Sequence, residues 1–216
     1  MRGGQSRYAF DMKLHWSPRS PFVRKVIIFA HETGLAEAFE RERSVVAMRK
    51  PNAAVMRDNP LGKLPTLVLD DGRALFDSVV ICEYLDSLHT GAPLFPKSGQ
   101  PRWEALRWHA LGDGLLDVLI LWRNERERDS EQRLQDLMAA FELKTRAALA
   151  LLDEEAQALE AAGFGIGPVA IVCALGYLDF RFAGFDWRSG HPRIAAWFGK
   201  QSQRPSVRMT APVDDQ

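Results

Sequence analysis

The spacing of apolar residues over the first part of the chain predicts short strands alternating with helices. Residues 12–16 form a short alternating stretch that stops at Ser17-Pro18, which predicts a strand followed by a turn. From Pro21 onward, apolar residues recur at helical spacing until Gly34, which predicts a helix. Residues 39–46 alternate again and predict a second strand. Because a helix separates the two strands, we expect them to pair in parallel.

A hairpin and another helix complete this part of the pattern. The segments 61–69 and 73–76 contain the two strands of a predicted hairpin, joined by the Asp-Gly turn at residues 70–72. Pro65 lacks an N–H group, so we expect it at the first residue of its strand, in a tight turn that a cis peptide would fit. Ser78 begins a helix with one apolar face. The order βαβ followed by ββα predicts a small mixed sheet covered by helices.

The pattern changes after residue 90. Residues 89–100 are rich in Pro, Gly and Ser, which is typical of a connector, and no strand pattern recurs beyond them. We therefore predict an α/β domain at residues 12–89 and an all-α helical bundle at residues 100–210. The four helices predicted for the bundle are Trp103–Asn124, Glu131–Ala162, Val169–Phe182 and His191–Lys200.

Composition excludes several classes of protein. The 216 residues carry 28 basic and 28 acidic side chains, so no net charge attracts a nucleic acid. The apolar stretches are far shorter than the roughly 20 residues that cross a bilayer, and we expect no membrane partner. Cys82 and Cys173 both lie in apolar runs, which favours packed thiols in a reducing cytoplasm over a disulfide. Met1 to Phe10 lack an apolar signal core, and we interpret them as a disordered leader or a misassigned start before Met12.

Four motifs in one order point to a known family. They are Ser17-Pro-Arg-Ser-Pro-Phe-Val-Arg-Lys25, Asn59-Pro-Leu-Gly-Lys-Leu-Pro-Thr-Leu67, Asp77-Ser78 and Ala174-Leu-Gly-Tyr-Leu-Asp-Phe-Arg-Phe182. Together they resemble the cytosolic glutathione S-transferase family, most closely a bacterial branch with a serine at the active position. The resemblance covers nearly the whole chain from Met12. It implies a thioredoxin-like glutathione-binding domain followed by the helical bundle.

The resemblance implies that a hydroxyl holds the thiol of glutathione as a thiolate, because the thiolate is the nucleophile. Ser20 is the candidate catalytic residue, since Ser20-Pro21-Phe22 occupies the frame of the Cys-Pro-aromatic sequence in related redox proteins. Ser17 lies in the same turn and is the alternative. In isolation, either serine would be interpreted as a helix N-cap.

The resemblance also implies a set of glutathione-binding residues. Leu64, before Pro65, would bind the cysteinyl amide through its backbone, and Lys63, or more weakly Lys50, would meet the glycine carboxylate. The helix start at Asp77-Ser78 would hold the γ-glutamyl group, with Asp77 facing the ammonium and the free N–H groups facing the carboxylate. The family more often has Glu-Ser at this place. Taken singly, these residues would be interpreted as a strand start, solvated lysines and an N-cap.

We predict a glutathione transferase that conjugates the thiolate to small apolar electrophiles, with glutathione as co-substrate and a role in detoxification. The same site could serve a glutathione-dependent isomerase or dehalogenase, or a glutathione-binding module with little turnover. A disulfide reductase is disfavoured, since the turn at residues 17–20 contains no Cys. A homodimer is implied by the resemblance only. His31 and His109 lack partners at metal-ligand spacing, so we expect no metal.

One departure from the family pattern affects the helix before Ala174. Related chains open this helix with a Ser or Thr cap and an Asp three residues later, whereas Gly165 and Pro168 occupy those places here. We expect the helix to survive with about 1 kcal/mol less local support. The first bundle helix also carries Trp103, Trp108, His109 and Trp122, most of which are interpreted as core residues.

Overall fold

A computed structural model of the chain describes residues 11–215. The leader predicted for Met1 to Phe10 lies outside the described residues. The described chain divides into two compact units. Residues 11–92 and 213–215 form the first, and residues 93–212 form the second.

The first unit is a four-stranded sheet with three helices. The strands have the order β2-β1-β3-β4, with β1 parallel to β2 and the other two pairs antiparallel. This confirms the predicted mixed sheet. The elements are β1 (Met12–Trp16), α1 (Pro21–Glu32), β2 (Phe39–Arg43), α2 (Ala53–Asp58), β3 (Thr66–Val68), β4 (Ala74–Leu75) and α3 (Ser78–Ser87).

Burial explains why these segments form these elements. On β1, the side chains of Met12 and Leu14 are almost fully buried, as its alternation predicts. The apolar residues of α1 from Val23 to Ala30 are buried on nearly every side, and α3 buries Ile81 and Leu85. The core of this unit therefore lies between the sheet and the apolar faces of α1 and α3.

The structure departs from the prediction at two places in the first unit. β2 ends at Arg43 rather than at Val46, because its partner β1 ends at Trp16, whose carbonyl accepts the last bond of the ladder from Ser44 N at 2.8 Å. The segment before Pro60, for which no element was predicted, contains α2. Asn52 caps this helix, with its side-chain oxygen accepting hydrogen bonds from Ala54 N and Val55 N.

The second unit is all-helical, as predicted. Helices α4 and α7 approach closely because glycine stands at their contacts. A Cβ on Gly112 would lie 2.8 Å from the Ala170 backbone, and one on Gly167 would lie 2.8 Å from the Ala105 carbonyl. The helices are α4 (Gly99–Arg126), α5 (Gln135–Glu154), α6 (Ala156–Ala162), α7 (Ile166–Arg181), α8 (Pro192–Gln201) and α9 (Pro205–Met209), with a 3-10 turn at Ser130–Gln132.

The single helix predicted over residues 131–162 is wrong. The chain breaks at Glu155, whose carboxylate accepts hydrogen bonds from Trp108 Nε1 and Arg107 Nη2, both at 2.7 Å. A second carboxylate fixes the start of α5, since Glu125 Oε1 accepts from Leu134 N at 2.8 Å. These contacts come from distant parts of the chain, and the local apolar pattern does not reveal them.

The core interpretation of the aromatic residues on α4 holds for Trp108, His109 and Trp122, which are buried, but Trp103 is 65% exposed. Cys82 and Cys173 are buried in α3 and α7, and no disulfide joins them. Among residues 11–215, none of the helices combines the length and apolar character needed to traverse a lipid bilayer.

The start of α7 shows how this chain dispenses with the usual side-chain cap. Gly165 is the N-cap and makes no side-chain hydrogen bond, but Ile166 N donates to the carbonyl of Leu94 at 3.1 Å. A Cβ at residue 165 would lie 2.7 Å from that same carbonyl oxygen. Glycine is therefore required here, because the neighbouring backbone satisfies the helix and occupies the space that a side chain would need.

We predict that Gly165→Ala lowers the free energy of unfolding by about 1–3 kcal/mol, since the Leu94 carbonyl must shift. Gly199→Ala is the matched control, because Gly199 lies in α8 with open space around its Cβ position. The control should be neutral or raise the free energy of unfolding by up to about 1 kcal/mol. Urea denaturation of both variants checks this. Equal effects at the two positions would contradict the proposed backbone cap.

Candidate functional site

The strand register gathers several loop segments at one edge of the sheet. Trp16, the last residue of β1, pairs with Arg43, the last residue of β2, so both strands finish at the same edge. β3 runs antiparallel to β1 and begins at this edge, with Thr66 opposite His15. β4 returns antiparallel to β3, so it too ends there. The turn after β1, the segment before β3 and the entrance to α3 therefore share one edge.

Ser20 lies where the turn after β1 becomes helix α1. It is the N-cap, with extended backbone, and its Oγ accepts a hydrogen bond from Val23 N at 3.3 Å. Pro21 follows at the first helical position, which suits its fixed φ. A hydroxyl that accepts one bond still has a hydrogen to donate, and Ser20 is half-buried rather than enclosed. Its hydroxyl can therefore cap the helix and face a ligand at the same time.

Ser17 has a different environment. It is 8% exposed, and its Oγ accepts a weak hydrogen bond from Arg19 N at 3.4 Å. Its carbonyl accepts from Ser20 N at 3.2 Å and so closes the turn. This geometry favours Ser20 over Ser17 as the hydroxyl that a ligand can reach.

The segment before β3 offers unused backbone groups. The Leu64–Pro65 peptide is cis, and Pro65 directly precedes β3. Within residues 11–215, none of the hydrogen bonds uses the backbone N–H or C=O of Leu64. An extended ligand can pair with such groups as an added strand would. Lys63, next to Leu64, has an exposed side chain.

Asn59 organises this segment, although the sequence analysis gave it no role beyond its motif. Its side chain is 1% exposed, and its Nδ2 donates to the Lys63 carbonyl at 3.3 Å and to Thr66 Oγ1 at 3.0 Å. Its Oδ1 accepts from Leu61 N at 3.0 Å. A buried amide with this many partners fixes the backbone around it. The position of an Asn directly before the Pro-Leu-Gly turn was the signal that could have revealed this role.

The entrance to α3 brings together Asp77 and Ser78. Asp77 is the N-cap, and its Oδ1 accepts from Val79 N at 3.1 Å. Its side chain is exposed, whereas Ser78 is 1% exposed. The site therefore presents a negative charge beside the free N–H groups of a helix start. This arrangement can meet an ammonium and a carboxylate together.

Lys50 belongs to a different loop, the one between β2 and α2. It lies in a turn after β2, where its backbone N–H donates to the Ala47 carbonyl at 3.1 Å, and its side chain is exposed. Among the described residues, no backbone hydrogen bond joins it to Ser20, Leu64 or Asp77.

A buried polar network connects β1 to the segment before β3. His15 on β1 is 1% exposed, with Nδ1 2.9 Å from Ser44 Oγ and Nε2 2.7 Å from Asp58 Oδ2. Lys13 Nζ lies 3.5 Å from the same Asp58 oxygen. The hydrogen bond from His15 lowers the pKa of the Asp58 carboxyl, and the positive charge of Lys13 acts in the same direction. Asp58 directly precedes Asn59, so the network ties β1 to the segment that carries Leu64.

Within the described part of the chain, no three His, Cys, Asp or Glu side chains are grouped so that they could hold a metal ion. The groups described so far at this edge include a hydroxyl, backbone donors and acceptors, a carboxylate and two helix starts.

We predict that Asp58→Asn makes the free energy of unfolding less dependent on pH in the acid range. The pKa of Asp58 is lowered in the folded protein, so its stabilisation is complete above the unfolded-state value near about 3.9 and is lost as pH falls through the folded-state value. At pH 7 the free energy of unfolding of the variant should be about 1–2 kcal/mol lower than that of the wild type. The difference should shrink as the pH is lowered towards 3. Urea titrations at several pH values measure it, and a constant difference would contradict this role.

Protein-family comparisons identify both halves of the chain. Residues 19–88 match the family model described as Glutathione S-transferase, N-terminal domain, and residues 135–200 match that described as Glutathione S-transferase, C-terminal domain. The chain is also 30% identical over 203 residues to a protein of Escherichia coli K12 named Uncharacterized GST-like protein YibF. This alignment covers 93% of the chain and 98% of the relative.

Solved structures show the same fold with glutathione present. A glutathione transferase family member from Pseudomonas fluorescens Pf-5, with bound glutathione, is 44% identical and superimposes with a TM-score of 0.92. A second structure from that organism contains S-(propanoic acid)-glutathione, with 42% identity and a TM-score of 0.88. Each comparison covers 94% of this chain and all of the other.

Proposed function

Because the chain belongs to the glutathione S-transferase family, we propose that it transfers the thiolate of glutathione to an electrophilic carbon of a small, largely apolar compound. Glutathione is bound in its structural neighbours from Pseudomonas fluorescens, and one of them holds a glutathione thioether, the kind of product that this reaction forms. These ligands support the proposal for the present chain.

The observation that carries the proposal is the shared sheet edge. Ser20, Leu64 and Asp77 come from three separate segments, and the strand register brings all three segments there. Glutathione has three matching features: a thiol, a cysteinyl amide and a zwitterionic γ-glutamyl end. In this assignment the thiol meets Ser20, the amide pairs with the backbone of Leu64, and the γ-glutamyl group meets Asp77 and the start of α3. Exposed Lys63 is assigned to the glycine carboxylate, and Lys50 is the weaker candidate.

The chemical step requires a thiolate near neutral pH. A free thiol has a pKa near about 8.5 and is mostly protonated at that pH. The Ser20 hydroxyl donates to the sulfur, and the N-terminus of α1 adds positive dipole, so both favour the anion. Lowering the thiol pKa to about 6.5 would correspond to about 2.7 kcal/mol. The sulfur lone pair then forms the C–S bond, while the leaving group departs with its electron pair or the electrophile's double bond takes up a proton.

We predict that Ser20→Ala raises the pKa of bound glutathione towards its free value and lowers kcat/KM by about 10- to 100-fold. Thiolate absorbance in the ultraviolet, titrated against pH on the saturated complex, measures the first effect directly. Ser17→Ala is the matched control, because Ser17 belongs to the same turn but is nearly enclosed. The same thiolate fraction at every pH in wild type and Ser20→Ala would rule out Ser20 as the activating group. A thiol pKa near the free value in the wild type would instead favour a binding module with little turnover.

We predict that Asp77→Asn weakens glutathione binding by about 10-fold, since the ammonium loses its charged partner. Asparagine is as good an N-cap as aspartate, so the helix start should keep its hydrogen bond to Val79 N. Asp71→Asn is the control, because this exposed carboxylate lies in the β3–β4 turn at the opposite edge of the sheet. Isothermal titration with glutathione compares the three proteins. Equal affinities of the three proteins for glutathione would contradict a role of Asp77 in binding its ammonium group.

A cytoplasmic location and a homodimer complete the proposal. The two buried cysteines support a reducing compartment, and the dimer is inferred from the family resemblance. Sedimentation velocity tests the homodimer, and a monomer at micromolar concentration would contradict it.

A further inference from the structure

Two arginines beside the proposed thiol site hold a carboxylate of the protein itself. Residues 213–215, which we call the acidic segment, belong to the first unit. Within it, Asp215 Oδ2 accepts from Arg43 Nε and lies near Arg43 Nη2, both at 2.7 Å. Arg19 Nε is 3.2 Å from Asp215 Oδ1, and Arg19 Nη1 is 3.7 Å from Asp214 Oδ1. One carboxylate therefore bridges two guanidinium groups.

The two arginines lie next to the Ser20 turn, at the same edge of the sheet. Arg19 directly precedes Ser20, and consecutive Cα atoms lie only about 3.8 Å apart. Arg43 ends β2 at the same sheet edge, on the side of β1 that faces away from β3. The strand order therefore places the α3 entrance, Leu64, the Ser20 turn and Arg43 in sequence along the edge. A ligand that runs from Asp77 past Leu64 to Ser20 meets the arginine pair next.

The acidic segment fits this pair imperfectly. Arg19, Arg43 and Asp215 each keep about one third of their side-chain surface exposed. Asp215 Oδ1 is buried, yet within residues 11–215 it accepts no hydrogen bond. Arg19 Nε lies only 3.2 Å from it, so this ion pair is close enough for a hydrogen bond but lacks the alignment of one. Partly exposed ion pairs contribute little to stability. A free carboxylate with better alignment can therefore displace Asp215 without unfolding the unit.

We propose that Arg19 and Arg43 form a carboxylate subsite for the electrophile, and that Asp215 occupies this subsite until a substrate displaces it. Arginine suits this role, since its planar group binds carboxylates in a bidentate fashion. The preferred electrophile then carries a carboxylate on an otherwise apolar body. The carboxylate takes no part in the bond changes at sulfur and serves only to orient the reacting carbon. This inference rests on the proposed function, because it assumes that glutathione binds at this edge.

A carboxylate at this pair could also come from glutathione itself, through its glycine end. The test therefore uses two ligands with the same glycine carboxylate, namely S-(2-carboxyethyl)glutathione and S-propylglutathione. Their sulfur substituents differ only at the end, which is a carboxylate in the first ligand and a methyl group in the second. Isothermal titration gives the dissociation constant of each with the wild type, Arg43→Gln, Arg19→Gln and Asp215→Asn. Arg73→Gln is the matched control, since Arg73 is an exposed arginine paired with Asp71 at the opposite sheet edge.

The wild type should bind the charged conjugate about fivefold more tightly than the neutral one. Asp215→Asn should increase this ratio, because a competing carboxylate is removed, while Arg43→Gln and Arg19→Gln should reduce it to about one. Arg73→Gln should keep the wild-type ratio, and added salt should lower it. Thermal melts verify that each variant is folded.

Three results would overturn the inference. The affinity ratio of the two conjugates could be near one in the wild type, or could stay unchanged in both arginine variants. Either result would show that the arginine pair does not bind the carboxylate of the sulfur substituent. An equal loss of affinity for both conjugates would assign the pair to the glycine carboxylate. In each of these cases glutathione still binds and the proposed function stands. A wild type that binds neither conjugate nor glutathione would remove the proposed function together with this inference.

Discussion

Everything at the candidate site depends on the double pairing of strand β1. It pairs in parallel with β2 over five residues on one side and antiparallel with β3 over three residues on the other. Its side chains Met12 and Leu14 are buried in the core, so a slip of one residue would turn them away from it. Because the register is fixed in this way, the loop segments at one sheet edge meet without any direct bond between Ser20, Leu64 and Asp77.

The register alone would leave the loops free to move, and buried polar side chains remove that freedom. Asn59 holds the segment before β3 through the Lys63 carbonyl and Thr66, and His15 ties Asp58 to the central strand. Each of these groups is nearly excluded from water, so leaving its partner unsatisfied would cost about 1–3 kcal/mol. The backbone of Leu64 is therefore held in place while its own N–H and C=O remain available.

Local patterns were sufficient to predict most of this fold. The alternation at β1, the helical spacing after Pro21, the Asp-Gly turn and the all-helical second half are all properties of neighbouring residues. The structure differs from the prediction where contacts between residues far apart in the sequence determine the local conformation. The break at Glu155 depends on Trp108, and the glycine at residue 165 on the carbonyl of Leu94. The candidate residues of the site came from motifs, and their assignment remains a proposal. The contact between Arg43 and Asp215, 172 positions apart, has no signal in the sequence.

The two interpretations that the sequence left open for Ser20, helix cap or catalytic group, are compatible in physical terms. A hydroxyl has one hydrogen and two lone pairs, and Val23 N uses one lone pair only. The cap fixes the rotamer of Ser20 at the positive end of α1, which is where a hydroxyl must stand to stabilise a thiolate. Asp77 follows the same principle, since one of its oxygens caps α3 and the other is left for a cation. Helix capping therefore supplies the preorganisation that the proposed chemistry needs.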